Sequence, residues 1–305
     1  MTQAERDHRL SAAGGFTLLE LVLVMAILTV LATVAMRSLE GVDQQTRFDA
    51  TRRGLQEVDD AIALTGREAD GSLSVSGFIA DVGRLPLAVG ADPATQLAEL
   101  WGNPRNLAPL AVRAAPSDPQ VLLATGWRGN YLRLGVGKSS LQDGWGHAMD
   151  LLKIDGATAV ADGDPVAVLR SRGADGTVDA GTPANYDADI TVTLGGAGAP
   201  AAQGGKATLS GRVFLLDTAT GQLRDPDPAN GDVTIRYFAP DPATGLVAEQ
   251  TVTVSAPFTA VSYSFNATIG PRVVRAYQGS GGSLRSVPVR VMLAPGGQMK
   301  DLILR

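Results

Sequence analysis

The chain of 305 residues contains no cysteine and only two histidines, and these shortages exclude several classes of protein. Without cysteine the fold has no disulfides and must be held together by packing or by a metal ion. A Ser-His-Asp triad would have to use His147, which follows a Trp-Gly turn in a predicted strand. The sequence also lacks a phosphate-binding loop, a His-Glu-x-x-His motif and a cluster of zinc ligands. We therefore predict that the protein is not an enzyme.

Positive charge and aromatic side chains are also scarce. Lysine and arginine number 26 against 31 aspartates and glutamates, which gives a formal net charge of −5. This balance argues against binding to a nucleic-acid backbone, which requires a basic footprint. Aromatic residues make up only 5% of the chain, whereas glycine occurs 36 times and proline 17 times. That composition predicts much strand and loop.

The chain does have a long apolar run, from Phe16 to Met36, and it carries a single charge, Glu20. At about 1.5 Å per residue, a helix of this length spans roughly 30 Å, the thickness of a bilayer's hydrocarbon core. An unpaired carboxylate inside a membrane costs at least about 2.5–3.5 kcal/mol, so it indicates a function and a partner. If the chain is cut after Gly15, the new α-amine of Phe16 in a second subunit is a cation that can neutralise Glu20.

Two simpler interpretations of the apolar run compete with this one. A secretory signal peptide would have an apolar stretch of about 7–15 residues, followed by a small-residue cleavage site. This run is longer, and residues 32–36 make a poor Ala-x-Ala site. A plain single-pass anchor fits the length but leaves Glu20 without a role. Arg6 and Arg9 favour a cytoplasmic N-terminus in either membrane-spanning interpretation.

The segment Gly15-Phe16-Thr17-Leu18-Leu19-Glu20 resembles the start of the type IV pilin superfamily, which comprises type IV pilins and the pseudopilins of type II secretion. The resemblance implies that a prepilin peptidase cuts after Gly15, that Phe16 is N-methylated, and that Glu20 guides subunit docking. It also implies two further partners, other pilin or pseudopilin subunits and the inner-membrane assembly platform. The expected location is the inner membrane, single-pass with a periplasmic head, and then a periplasmic pseudopilus or a cell-surface pilus.

We predict an α+β fold in which a long N-terminal helix packs on a small antiparallel-sheet head, followed by an all-β sandwich. Apolar residues at mostly helical spacing continue the helix beyond Met36 and make its second half amphipathic. The predicted parts are a leader at 1–15, the helix at 16–65 with its transmembrane portion at 16–36, a pseudopilin-like head at 66–194, a flexible linker at 195–206 and the sandwich at 207–305.

The head resembles that of the major pseudopilin type. It has the turn Asp143-Gly144-Trp145-Gly146 and a later loop that runs from Gly173-Ala174-Asp175-Gly176 to Asp187-Ala188-Asp189-Ile190. After Trp-Gly the family usually has Asn-Pro, whereas this chain has His147-Ala148.

The later loop is the best candidate for a metal site, since carboxylate and carbonyl oxygens suit Ca²⁺. The resemblance points to Asp175 and Asp189 as side-chain ligands, with Asp179 and Asp187 as possible further ones. The alternative is an ordinary solvated turn that is rich in aspartate.

Glycine, alanine and proline dominate residues 195–205, so no side chain there can anchor a core, and we expect a flexible linker. Beyond it, about seven short alternating runs separated by turn residues predict a sandwich of the immunoglobulin-like or transthyretin-like kind. The opening phrase Ser210-Gly211-Arg212-Val213 weakly resembles carboxypeptidase-regulatory, transthyretin-like domains. The sandwich is expected to fold alone and to hang off the head.

The sequence thus predicts a structural subunit of a type II secretion pseudopilus or a type IV pilus. Its size favours a minor subunit, because a second domain on every subunit would crowd a filament. The alternative is a minor pilin that uses the C-terminal sandwich as an adhesin or a substrate-binding module.

Overall fold

A computed structural model describes residues 17–92, 95–134, 140–181, 185–195 and 205–305, apart from the side chains of residues 37–39. By their internal contacts the residues divide into two compact units, Met1–Thr46 and Arg47–Arg305. The first unit contributes only the N-terminal part of a helix to the described structure.

The first element is helix α1, Leu18–Ala63. Thr17 begins it, because its hydroxyl oxygen accepts a hydrogen bond from the backbone N–H of Glu20 at 3.2 Å, as an N-cap does. No proline interrupts the helix, and its two glycines do not break it. The predicted long, continuous N-terminal helix is confirmed. Gly66 lies in the strand that follows the helix.

The second half of α1 packs on the body of the protein through one face. Leu55, Val58 and Ile62 recur at helical spacing and are fully buried. Asp59 lies on the same stretch and is also buried, and its carboxylate accepts a hydrogen bond from the backbone N–H of Gly195 at 3.1 Å. The amphipathic second half expected from the sequence is therefore confirmed.

The head consists of short antiparallel ribbons and one short helix. Its elements are β1 (Leu64–Arg67), β2 (Leu73–Ser76), helix α2 (Phe78–Val82), β3 (Ala111–Ala115), β4 (Asp118–Thr125), β5 (Asp150–Leu152), β6 (Val168–Ser171) and β7 (Ile190–Thr193). β1 pairs with β2 and β3 with β4, while β5, β6 and β7 form a three-stranded sheet in that order. All of these pairings are antiparallel.

The C-terminal part is a sandwich of two five-stranded sheets. Its strands are β8 (Lys206–Leu216), β9 (Leu223–Arg224), β10 (Val233–Pro240), β11 (Val247–Val254), β12 (Val261–Thr268), β13 (Gly270–Gln278), β14 (Leu284–Arg285), β15 (Val289–Leu293), β16 (Gln298–Met299) and β17 (Leu302–Leu304).

One sheet has the order β11-β10-β13-β14, with β15 also on β13, and the other has the order β12-β8-β16, with β9 and β17 also on β8. Alternate side chains of each sheet face the other, and the rings of Tyr237 and Phe265 stack between them at 5.3 Å. The predicted α+β class is confirmed.

The head and the sandwich share a core, which the sequence did not suggest. Buried residues of α1, α2 and both sheets belong to one apolar cluster. A second cluster joins Val121 and Leu123 of β4 to Phe238 and Val273 of the sandwich. The expectation that the sandwich hangs apart from the head is therefore not met, because both lie within the compact unit Arg47–Arg305. Most of the expected linker, residues 196–204, lies outside the described residues, and the predicted boundaries between parts stay a prediction.

Candidate functional site

The N-terminal segment is the first candidate site. Gly15 and Phe16, where the sequence predicts cleavage and methylation, lie outside the described residues. Glu20 is described, and it lies in the first turn of α1, exposed. A carboxylate in this position is favoured by the partial positive charge of the helix N-terminus. Its role in assembly stays a prediction.

The surface around Glu20 is almost wholly apolar. Side chains from Leu18 to Met36 are exposed on every side of the helix, and Leu18 and Leu19 leave 81% and 79% of their surface uncovered. An apolar surface of this extent marks an interaction with a membrane or another protein. By length and composition the helix is apolar enough to cross a membrane, with a mean hydropathy of 2.6 over its most apolar stretch.

The acidic loop between β6 and β7 is the second candidate site. Asp175 is exposed, and its carboxylate accepts hydrogen bonds from the backbone N–H and the hydroxyl of Thr177, at 2.9 and 2.8 Å. These bonds, the backbone one first, hold the pKa of Asp175 below its ordinary value. This arrangement is that of an ordinary Asx turn, which needs no metal.

Asp179 and Asp189 lie side by side and join the middle of the loop to its C-terminal end. Asp179 Oδ2 accepts from the backbone N–H of Asp189 at 2.8 Å, and Asp189 Oδ2 accepts from that of Asp179 at 3.3 Å. Arg170 Nε lies 3.8 Å from the same Asp189 oxygen. The other oxygen, Asp189 Oδ1, is buried and has no hydrogen-bond partner among the described residues. An orphaned carboxylate oxygen of this kind fits a cation.

The other predicted calcium ligands are less favourably placed to bind an ion together. Asp187 lies in a single helical turn, Asn185–Asp187, which the structure does not bring into a group with the other three aspartates. Over the described ranges, no group of three or more histidine, aspartate or glutamate side chains is placed to hold a metal ion. Residues 182–184 of this loop lie outside those ranges. One carboxylate oxygen therefore fits a metal, and calcium binding stays a prediction.

The residue that organises this end of the head is Asp143, which the sequence marked only as the first residue of the Asp-Gly-Trp-Gly turn. Asp143 Oδ1 accepts from the backbone N–H groups of Trp145 and His147, at 3.0 and 2.8 Å, and Oδ2 accepts from the Ser171 hydroxyl at 2.7 Å. The ring nitrogen His147 Nδ1 lies 3.2 Å from the backbone oxygen of Gly173. The Asp-Gly-Trp-Gly turn is therefore tied directly to the start of the acidic loop.

Ser171, Asp143 and His147 do not form a nucleophilic triad, although their residue types suggest one. Ser171 is fully buried, and its hydroxyl donates a hydrogen bond to the carboxylate of Asp143 and not to the imidazole of His147. A hydroxyl is activated when a base such as imidazole takes its proton. The absence of enzymatic activity nevertheless stays a prediction.

The same turn packs tightly against α1. The backbone N–H of Gly144 donates to the Thr51 hydroxyl at 2.8 Å. A Cβ atom built on Gly144 would lie only 2.1 Å from the backbone oxygen of Arg47, so no residue other than glycine fits without a shift of the helix. Asp-Gly-Trp-Gly is thus a helix-docking turn in this structure.

Comparison with protein-family models, with curated proteins and with solved structures finds no match. The long apolar helix followed by a β-rich body is compatible with a pilin-like architecture. The family assignment suggested by Gly15, Phe16 and Glu20 is therefore a proposal.

Proposed function

We propose that the chain is a prepilin-type structural subunit that is cut after Gly15, methylated on Phe16 and assembled into a type II secretion pseudopilus or a type IV pilus. One observation carries this proposal. Helix α1 presents an unbroken apolar surface from Leu18 to Met36 with one acidic side chain, Glu20, in its first turn. A plain anchor has no use for that carboxylate, whereas a subunit that docks onto a neighbouring α-amine requires it.

The proposal also explains why the apolar surface extends right round the helix. An anchor that only crosses a bilayer is covered by lipid on all sides. A filament subunit leaves the bilayer, and its apolar helix must then be covered by the helices of its neighbours. A helix with no polar face satisfies both environments, because either lipid or packed side chains remove it from water.

The body of the protein supports the same function. Leu55, Val58 and Ile62 anchor the second half of α1 in the core, and the Gly144 turn holds it from the side. The residues that join helix and head are therefore internal, and the proposal assigns the apolar surface from Leu18 to Met36 to assembly. The sandwich of residues 206–305 adds considerable bulk to this body, and that bulk supports a minor subunit.

The experiment that tests the proposal is mass spectrometry of the protein isolated from membranes of cells that contain a prepilin peptidase. The expected mature chain begins at Phe16 and carries one additional methyl group on its amine. A chain that still begins at Met1, or one that is cut near Ala35, contradicts the proposal.

A further inference from the structure

The outer face of the sheet β11-β10-β13-β14 carries an unusual concentration of arginine. Residues 250–300 contain no aspartate or glutamate, although the whole chain is acidic with a net charge of −5. The cations of this stretch are Arg272, Arg275, Arg285, Arg290 and Lys300. Of these, Arg275, Arg285 and Arg290 share one face of the sheet with Arg236 of β10, whereas Arg272 is buried against helix α2.

Strand register brings the arginines of this face together. Arg236 on β10 is directly opposite Arg275 on β13, and Tyr277 is directly opposite Arg285 on β14. Like charges on directly opposite positions repel, so such a pair requires a neutralising group. Asp118, the first residue of β4, neutralises Arg275 by a direct ion pair and also accepts from the Tyr277 hydroxyl at 2.5 Å.

Burial alone would raise the pKa of Asp118, but hydrogen bonds from Tyr277, Gln120 and Arg275 outweigh it and hold the pKa below its ordinary value. The carboxylate is thus charged at neutral pH and committed to Arg275 and Tyr277. It is not available to the other arginines of the face. Asp118 therefore holds the Tyr277 side chain in place but does not neutralise Arg236, whose guanidinium lies over the ring.

Arg236 and Arg285 are less well satisfied. The guanidinium of Arg236 lies 4.7 Å from the centre of the Tyr277 ring, and its Nε is buried without a hydrogen-bond partner in the described part of the chain. Glu249 Oε1 forms an ion pair with that Nε at 3.4 Å without a hydrogen bond, and the same carboxylate accepts from the hydroxyls of Ser117 and Thr251. Arg285 is exposed on the adjoining strand.

A cleft of about 350 Å³ opens between these side chains. It is lined by Arg236, Tyr277 and Arg285, by the hairpin turn 117–119 and by the glycine-rich loop 279–282. Its volume is at the lower end of the range for small-molecule sites. Asp232 and Thr234, which precede Arg236 in the chain, also line the cleft and supply oxygen acceptors and a hydroxyl.

From this arrangement we propose that the cleft binds a hydroxylated carboxylic acid of about the size of a hexuronate. Arg236 and Arg285 supply planar donors that match a carboxylate, and charge-assisted bonds of that kind are the strong ones in proteins. Asp232 and Thr234 lie where ligand hydroxyls can donate and accept. The charge of the two arginines alone would suit any oxyanion, but the volume of the cleft and the oxygen atoms of Asp232 and Thr234 favour a ligand that also carries hydroxyls.

The test is isothermal titration calorimetry on the full chain in detergent micelles. Sodium glucuronate and galacturonate are the ligands, glucose is the control without charge, and sodium sulfate is the control without hydroxyls. We expect saturable binding of at least one uronate, weaker binding of sulfate and none of glucose. Sulfate binding as tight as the uronates would overturn the assignment of a hydroxylated ligand, and absence of uronate binding up to tens of millimolar would overturn the site.

A matched pair of variants locates the site. Arg285→Gln and Arg290→Gln each remove one exposed positive charge from neighbouring strands of the same sheet, but only Arg285 lines the cleft. Arg285→Gln should weaken uronate binding about tenfold or more, as expected for a lost charge-assisted bond, whereas Arg290→Gln should leave it nearly unchanged. Equal effects of the two changes would show a general effect of charge and would contradict a defined site. Both side chains are exposed, so neither change should disturb folding.

Discussion

The guanidinium of Arg272, on strand β13 of the sandwich, donates a hydrogen bond at 3.0 Å to the backbone oxygen of Ala80, in helix α2 of the head. The same side chain donates to the backbone oxygens of Ile79 at 3.3 Å and Ile269 at 2.6 Å. Arg272 is only 1% exposed, and burial lowers its pKa from the ordinary value. A buried cation is held here by carbonyl oxygens from both parts of the protein.

The first prediction follows from this contact. Arg272→Met keeps an unbranched side chain but leaves the carbonyls of Ala80 and Ile269 without the donor that the guanidinium supplies, and each buried unpaired group costs about 1–3 kcal/mol. The change should therefore lower the free energy of unfolding by about 3 kcal/mol, measured by urea denaturation in detergent. Arg290→Met, at an exposed position on β15, should have almost no effect.

Since head and sandwich share a core, we expect a single unfolding transition for residues 47–305, and two separate transitions would contradict the shared core.

A second prediction tests the same junction through close packing. A Cβ atom on Gly270, where φ is +118°, would lie 2.7 Å from Ala80 Cα. At Gly296, where φ is +95°, an added Cβ meets open space. Alanine is strained by positive φ at both positions, so the difference between the variants isolates the cost of overpacking. Gly270→Ala should lower the melting temperature further than Gly296→Ala, by the equivalent of about 1–3 kcal/mol. Equal shifts in melting temperature would show that the backbone at the junction moves to make room for the added methyl group.

The third prediction concerns acid stability. Burial alone would raise the pKa of Asp150, but hydrogen bonds from Arg172 and Arg170, at 2.6 and 2.8 Å, leave it below the ordinary value. A carboxylate whose pKa is lowered by folding stabilises the protein above its unfolded pKa of about 4, and this contribution is lost as pH falls through the folded pKa.

Asp150→Asn should therefore lower stability by about 1 kcal/mol at pH 7, and this difference from the unsubstituted protein should shrink steadily below about pH 4. Thermal melts at several pH values provide the measurement. The control is Asp225→Asn, because Asp225 pairs with Arg212 at the surface, where solvent screens the interaction. A difference that does not depend on pH would rule out the ion pairs as its source.

Local pattern was enough to predict much of the fold. The helical spacing of Leu55, Val58 and Ile62 marks the buried face of α1, and the alternation within 208–216 and 233–238 marks two strands of the sandwich. Such periodicities depend only on which side of an element faces the core.

The junction between head and sandwich was not predictable in the same way. An arginine such as Arg272 is ordinarily read as a surface residue, and nothing adjacent in sequence shows that its partners are carbonyls some 190 positions away. The hairpin β3–β4 was missed for a related reason, because it is stabilised by packing on Phe238 and Val273 of the sandwich. The partnership of Asp179 and Asp189 likewise depends on how the loop closes.

The fourth prediction tests the proposed assembly contact. Glu20→Ala removes a costly charge from the membrane-spanning part of α1, so membrane insertion should be unchanged or easier. Filament incorporation should fail, because the amine of a neighbouring Phe16 loses its partner. Glu40→Ala is the matched control, since Glu40 is an exposed acid on the same helix outside the apolar run, and it should leave incorporation intact. Incorporation is measured by immunoblotting sheared filaments, and wild-type amounts of the Glu20→Ala subunit would exclude the pairing.

The fifth prediction decides whether the acidic loop binds calcium. An ion that binds only the folded state stabilises it by mass action, by about 2.7 kcal/mol when its concentration is 100 times its dissociation constant. The full chain in detergent should then melt at a higher temperature in millimolar Ca²⁺ than in chelator, and Asp175→Ala or Asp189→Asn should abolish the shift. Asp155→Ala is the control, because Asp155 accepts from Thr158 in an Asx turn outside the loop, much as Asp175 does with Thr177. The shift should survive in that variant. If the melting temperature of the unsubstituted protein is the same in calcium and chelator, the loop is an ordinary turn, and the buried oxygen of Asp189 is not a metal ligand.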